Sequence, residues 1–261
     1  LEARAKLNLF LELLGRRPDG YHEIDSVFTE IDLCDTLQIE AAPRLSLTVE
    51  GGAPSGPENL AWRAAEALDA KVSIRLVKRI PMGAGLGGGS SDAAAVLRAL
   101  GGDLPPERLL AIARSLGADV PFFLSGGTAR CRGVGDLVEP LEGRAGRRFL
   151  LLVPELHMAT AAVYGAAGPL LTGPRRKATV FTRRYLAKGN RAPYFNRLQG
   201  AAEALEPRLA EVREKGERMF RRTFTMTGSG AAYFAPWSGA SPGAFEAGGL
   251  KVHAFGVATA R

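Results

Sequence analysis

The residues with the clearest chemical use run Pro81-Met82-Gly83-Ala84-Gly85-Leu86-Gly87-Gly88-Gly89-Ser90-Ser91-Asp92. Five glycines fall between positions 83 and 89, and two serines follow. Glycine lets backbone N–H groups approach a phosphate oxygen with no Cβ in the way. A helix predicted to open at Ser91-Asp92 adds unpaired N–H donors and the positive end of its dipole. The hydroxyls of Ser90 and Ser91 can reach a phosphate or a Mg²⁺ ion carried by one. The expected chemistry is therefore phosphate binding. Gly83, Gly85 and Gly88 match a dinucleotide pattern, but that fold wants an acidic residue at a strand end about 20 residues on. Asp103 follows Gly101-Gly102 instead. A Walker loop needs Gly-Lys-Ser/Thr, and Gly89 stands where the lysine should be. The partner motifs of a protein kinase are missing.

A loop without its own lysine needs charges from elsewhere. Leu7, Leu9, Leu11 and Leu13 alternate with Lys6, Asn8, Phe10 and Glu12. Period two predicts a half-buried strand with Lys6 and Asn8 together on the face away from the leucines. Asp119 sits in Gly117-Ala118-Asp119-Val120-Pro121. It reads either as a helix cap after Gly117 or as a carboxylate made more basic by apolar neighbours. Tyr21-His22 follow a turn from Gly15 to Gly20 and, on residue types alone, read as loop surface. Gly228-Ser229-Gly230 is a second glycine cluster. His157 and His253 have no ligand spacing, and no carboxylate cluster suggests a protein-only metal cage.

The positioning elements follow from the patterns. Strands are expected over 24–31, 36–39, 45–49, 71–80 and 128–131. Helices are expected from Asn59 to Ala70, from Ser91 to Leu100, and from Pro105 or Pro106 to Leu116, with a short turn or helix over 118–124. Beyond a charged, glycine-bearing stretch at Glu142–Arg148, the pattern predicts strand 149–153, helix 159–166, one long helix over 197–214, strands 223–227 and 231–235, a helix at 243–248 and a last strand at 252–258. The mixture favours an α+β fold, divided into domains 1–143 and 144–261.

At 261 residues the chain suits one large domain or two modest ones and can bury a core without disulfides. Cys34 and Cys131 form no CxxC pattern and are expected to be unpaired in a reducing compartment. The longest apolar runs are too short for a bilayer, and no signal peptide is recognisable. A cytoplasmic protein without a membrane partner is expected. The net charge is +7, but the basic residues come as short clusters such as Arg144–Arg148, Arg175–Lys177 and Arg183–Arg184. They lack aromatic interleaving, so a solvated surface or steering of anionic small molecules is preferred over nucleic-acid binding.

The run from Pro81 to Ser91 resembles the ATP motif of the GHMP kinases. The segments Ala5–Leu9 with Asp19–Glu23, and Leu116–Phe123, resemble those of the branch that acts on diphosphocytidyl methylerythritol in the non-mevalonate isoprenoid route. Gly228-Ser229-Gly230 resembles the family's third motif. The resemblance implies an N-terminal domain like ribosomal protein S5 domain 2, a ferredoxin-like C-terminal domain, and a cleft between them. It implies transfer of the ATP γ-phosphate to the acceptor's 2-hydroxyl, with Mg²⁺ delivered by ATP. Asp119 would be the base and Lys6 its partner. Asn8, Tyr21, His22, Gly228 and Ser229 would bind the acceptor, and Tyr164 would close the cytosine site opposite His22. Asn196 resembles a family asparagine without a fixed role. Homoserine or phosphomevalonate kinase activity, and a silent ATP-binding regulator, remain as alternatives.

Overall fold

A computed structural model describes residues 1–143, 145–168, 176–186 and 193–260. Arg144 and Arg175 of the basic clusters lie outside the described residues.

The fold is built on a long antiparallel pair, β1 (Glu2–Arg16) and β2 (His22–Ala41). The two strands expected over 24–31 and 36–39 are one, because two neighbours share the outer edge of β2. Its first half pairs with β5 (Thr128–Gly133) and its last residues with β4 (Val72–Val77). Adding β3 (Ser46–Glu50) and β6 (Leu137–Leu141) gives a sheet ordered β3-β4-β2-β1-β8, with β5 and β6 branching from β2. The short β8 (Phe195–Asn196) returns from the later part of the chain to lie parallel to β1.

The expectation that β1 is half-buried is corrected. Lys6, Asn8 and Glu12 are as buried as the leucines. Asn8 pairs with Phe28 and Phe10 with Val27, so Leu9 is an extra residue. This bulge reverses the facing of the strand. Ala5, Leu7 and Leu9 pack with Phe149 and Leu151, whereas Leu11 and Leu13 join Phe28 and Phe122. Both faces of β1 are therefore covered.

Helices α1 (Leu60–Glu66), α2 (Gly88–Leu100), α3 (Pro106–Leu116) and α4 (Val120–Ser125) accompany the first sheet. Asn59 caps α1 as expected, its Oδ1 accepting from the Ala61 amide at 2.9 Å. The strands change sheets between Leu141 and Arg148. The second sheet is ordered β11-β12-β7-β10-β9, every neighbour antiparallel. It comprises β7 (Arg148–Pro154), β9 (Thr225–Met226), β10 (Tyr233–Pro236), β11 (Gly243–Ala247) and β12 (Leu250–Ala258).

Two later expectations fail. The helix expected at 243–248 is strand β11, because Gly248 and Gly249, both at positive φ, form a tight turn into β12. The long helix over 197–214 is two helices, α7 (Gln199–Leu205) and α8 (Arg208–Phe220). Pro207 lacks an N–H and pushes Glu206 out of the helical region, to φ −137° and ψ 88°. Helix α5 (Thr160–Ala166) forms as expected; α6 (Ala178–Leu186) and β6 are additions that the sequence pattern does not announce. Among the described residues no helix is long and apolar enough to cross a membrane.

Candidate active site

The glycine loop connects β4 to α2. Helix α2 begins at Gly88, three residues before the expected start, with Gly87 as N-cap at φ 75°. No side chain caps it, so its first N–H groups are left for a ligand. Gly88, Gly89 and Ser90 form that first turn and line a cleft of about 990 Å³. Pro81 to Gly87 line it too. Ser91 does not: it is 1% exposed, and its amide is bonded to the Gly87 carbonyl at 3.0 Å.

The glycines have a second use. A Cβ on Gly85 would lie 2.2 Å from the Thr227 carbonyl oxygen, and one on Gly228 would lie 2.8 Å from the Gly85 carbonyl oxygen. The two glycine clusters therefore meet backbone to backbone. A bond from the Ala232 amide to the Ala84 carbonyl, at 3.2 Å, ties them together. Asn196 supports the second cluster: its Nδ2 donates to the carbonyls of Met226 and Gly228 at 2.8 and 2.7 Å.

Lys6 and Asn8 reach the same cleft from β1. The Lys6 Nζ donates to Asn8 Oδ1 at 2.5 Å and stands 3.6 Å from Asp119 Oδ2. Its backbone amide donates to the Leu86 carbonyl at 2.9 Å. Burial lowers the ammonium pKa below its usual 10.5, and the charge of Asp119 opposes that shift. Asn8 is held by several protein groups. Its Oδ1 also accepts from the Gly228 amide at 2.9 Å, and its Nδ2 donates to Ser26 Oγ at 3.2 Å. Thr227, unmarked by any motif, completes this knot by accepting from the Asn8 amide at 3.0 Å.

Asp119 occupies the N-cap position of α4 but makes no capping hydrogen bond. Its carboxylate turns to Lys6 instead and is 30% exposed. Val120, Pro121 and Phe122 beside it are buried. The capping bond is therefore absent, and the carboxylate faces the lysine and the cleft.

In the same cleft, His22 packs against Tyr164 of α5, with ring centroids 5.3 Å apart and planes at 40°. The spacing leaves no room for a third ring between them, so they form one aromatic wall. Burial, then the nearby Arg16, holds the imidazole pKa below its usual 6.5. Burial, then Asp119, raises the Tyr164 phenol above its usual 10. Tyr21 lies on the rim, 64% exposed. Ser229 Oγ is 2.9 Å from Thr160 Oγ1. Among the described residues no group of three His, Cys, Asp or Glu side chains is placed to hold a metal.

The model of the GHMP kinases N terminal domain matches residues 59–127. The 4-diphosphocytidyl-2-C-methyl-D-erythritol kinase of Thermus thermophilus is 45% identical over 239 residues, covering 89% of this chain and 85% of that protein. The enzyme of that name from Pelotomaculum thermopropionicum is 41% identical, covering 89% and 86%. A solved structure of a 4-(cytidine 5'-diphospho)-2C-methyl-D-erythritol kinase superposes with a TM-score of 0.80 at 39% identity, covering 100% of this chain and 99% of that one. The Methanococcus jannaschii mevalonate kinase shares the fold, with a TM-score of 0.61 at 14% identity, covering 91% and 90%. The chain therefore belongs to the 4-diphosphocytidyl-2-C-methyl-D-erythritol kinase family of the GHMP kinases.

Proposed function

We propose that the protein transfers the γ-phosphate of ATP to the 2-hydroxyl of 4-diphosphocytidyl-2-C-methyl-D-erythritol. The observation that carries the reading is the Lys6–Asp119 pair, 3.6 Å apart in the cleft that also holds the free start of α2. A tertiary hydroxyl is a weak nucleophile at neutral pH and needs a base beside it. Asp119 is that base: its carboxylate is partly open and uncommitted to the helix. Lys6 orients Asp119 and offsets the charge that gathers on the transferred phosphoryl group. The first-turn N–H groups of α2 hold the donor phosphates. Asn8 acts through Lys6, because its own oxygen is occupied by the lysine and by Gly228.

The acceptor lies toward His22, Tyr21 and Tyr164. A cytosine stacked on the aromatic wall would put its diphosphate near Gly228 and Ser229. Residues 1–143 carry the ATP loop and the base, and residues 144–261 supply Tyr164 and the second glycine cluster.

Mg²⁺ would arrive with ATP. Ser90, in the first turn of α2 on the cleft, would be the hydroxyl placed to meet it. The ion would neutralise phosphate charge. The enzyme is read as cytoplasmic, with two small-molecule partners and no role for nucleic acid or membrane. A coupled assay offering ATP with the diphosphocytidyl acceptor, homoserine or phosphomevalonate tests the reading. Turnover of the first alone is expected; turnover of another in its place refutes the assignment.

A further inference from the structure

Behind the glycine loop lies a buried group of three charges that the proposed reaction does not use. Lys78 follows the last residue of β4, and Asp92 stands on α2. Between them the chain makes the whole phosphate loop. The Lys78 Nζ donates to Asp92 Oδ2 at 2.7 Å and also to Asp35 Oδ2. The three side chains are at most 5% exposed. Asp35 belongs to β2, and its Oδ1 accepts from the amides of Arg79 and of Ile80, the latter at 2.8 Å. Asp92 Oδ1 is buried without a hydrogen-bond partner among the described residues.

Such a group is costly. Each buried ion loses several kcal/mol of hydration, and well-packed apolar side chains often serve stability as well or better. What charges add over apolar packing is direction. Here the ion pair joins the two ends of the loop, and Asp35 fastens that junction to the sheet. Strand β2 pairs with β1, with Glu30 opposite Lys6 and Asp35 opposite Ala3. The base of the loop is thus referred to the strand pair that carries Lys6. Its tip is held separately, by the Lys6 amide on the Leu86 carbonyl. Lys78 also lines the cleft, and a Cβ on Gly88 would lie 3.2 Å from its Nζ.

We infer that Asp35, Lys78 and Asp92 form an ionic clasp that sets where the first N–H groups of α2 point, and so tunes donor-phosphate binding relative to Lys6. They are positioning residues for the nucleotide. The inference rests on reading the loop as the ATP site.

Nucleotide titration and steady-state kinetics on Asp92→Leu, Asp92→Asn and Lys78→Gln separate the two claims. Wild-type protein that binds no nucleotide overturns the ATP-site reading itself. Given wild-type binding, Asp92→Leu is expected to raise KM for ATP about tenfold or more, while KM for the acceptor stays within about twofold. Asp92→Asn keeps an oxygen for Lys78 and is expected to restore most of the affinity. Lys78→Gln keeps a donor without the charge, and an intermediate KM is expected. If Asp92→Leu does not fold, Lys78→Gln against Asp92→Asn decides. Folded variants with unchanged KM for ATP, or with both KM values and kcat shifted in parallel, overturn the clasp.

Discussion

The Lys6 ammonium lies 3.6 Å from the Asp119 carboxylate, although one residue is on the first strand and the other opens α4. The pair sits beside the glycine loop, which contacts Lys6 through the Leu86 carbonyl. Removing the carboxylate should expose its role. Asp119→Asn is expected to reduce kcat by about 10²–10⁴-fold, the range for a general base. ATP affinity should hold within about twofold by isothermal titration. A variant that turns over at the wild-type rate would remove Asp119 from the chemistry.

The burial of Lys6 has a consequence for pH. Its ammonium is easier to deprotonate than an exposed lysine. If the charged form is needed, activity should decline on the alkaline side at a pH below 10.5. Lys6→Arg stays charged throughout that range. It should flatten the alkaline limb even where its altered geometry lowers the rate. An alkaline limb identical in both proteins would separate Lys6 from the pH profile.

Asp92 gives a stability signal of its own. Burial raises its pKa from 3.8 to about 7, opposed by Lys78 and reinforced by Asp35. The folded protein therefore keeps a proton that the unfolded chain releases between about pH 4 and pH 7. Through this group, stability falls as pH rises across that window and levels off above it. Urea unfolding of Asp92→Asn should lose that part of the slope, and an unchanged pH dependence would contradict the assignment.

The contact between the two glycine clusters predicts a steric result. Gly85→Ala would press a Cβ to 2.2 Å from the Thr227 carbonyl, at a φ of 73°. The backbone conformation alone costs about 1–2 kcal/mol. A clear drop in Tm and a weakened ATP KM are expected together. Gly200 lies within α7, and a methyl group added there would meet nothing within 4 Å. Gly200→Ala should stabilise by about 0.5–1 kcal/mol and leave kinetics alone. Thermal scans of the two variants compare a crowded glycine with an open one.

The aromatic wall predicts a division between substrates. His22→Ala should raise KM for the acceptor severalfold or more and leave KM for ATP near its wild-type value, since the proposed acceptor stacks on that ring. An equal rise in both would mean that the ring shapes the whole cleft.

The pieces of the site are legible in the sequence because they are local. A glycine run before a helix, alternation around Lys6, and Asp119 after a glycine all show in short windows. What joins them does not. The bulge at Leu9 comes from pairing with β2, and no window on β1 contains it. The alternation through Leu13 reads as one face, yet the facing changes at that bulge. Thr227 earns no mark in sequence, because its bonds go to Asn8 and Gly85, more than a hundred residues earlier. Asp35 and Lys78 carry no mark in sequence and Asp92 reads only as part of a helix start; the fold buries them together. Strand β11 reads as a helix because its partner lies beyond the Gly248-Gly249 turn.

The most direct measurement follows the transferred phosphate. Wild-type protein and Asp119→Asn are each mixed with ATP and 4-diphosphocytidyl-2-C-methyl-D-erythritol and observed by ³¹P NMR. Wild-type protein is expected to form one new phosphomonoester on the acceptor's 2-oxygen for each ADP released, and Asp119→Asn almost none. ADP release without the monoester, or equal product from both proteins, would contradict the account.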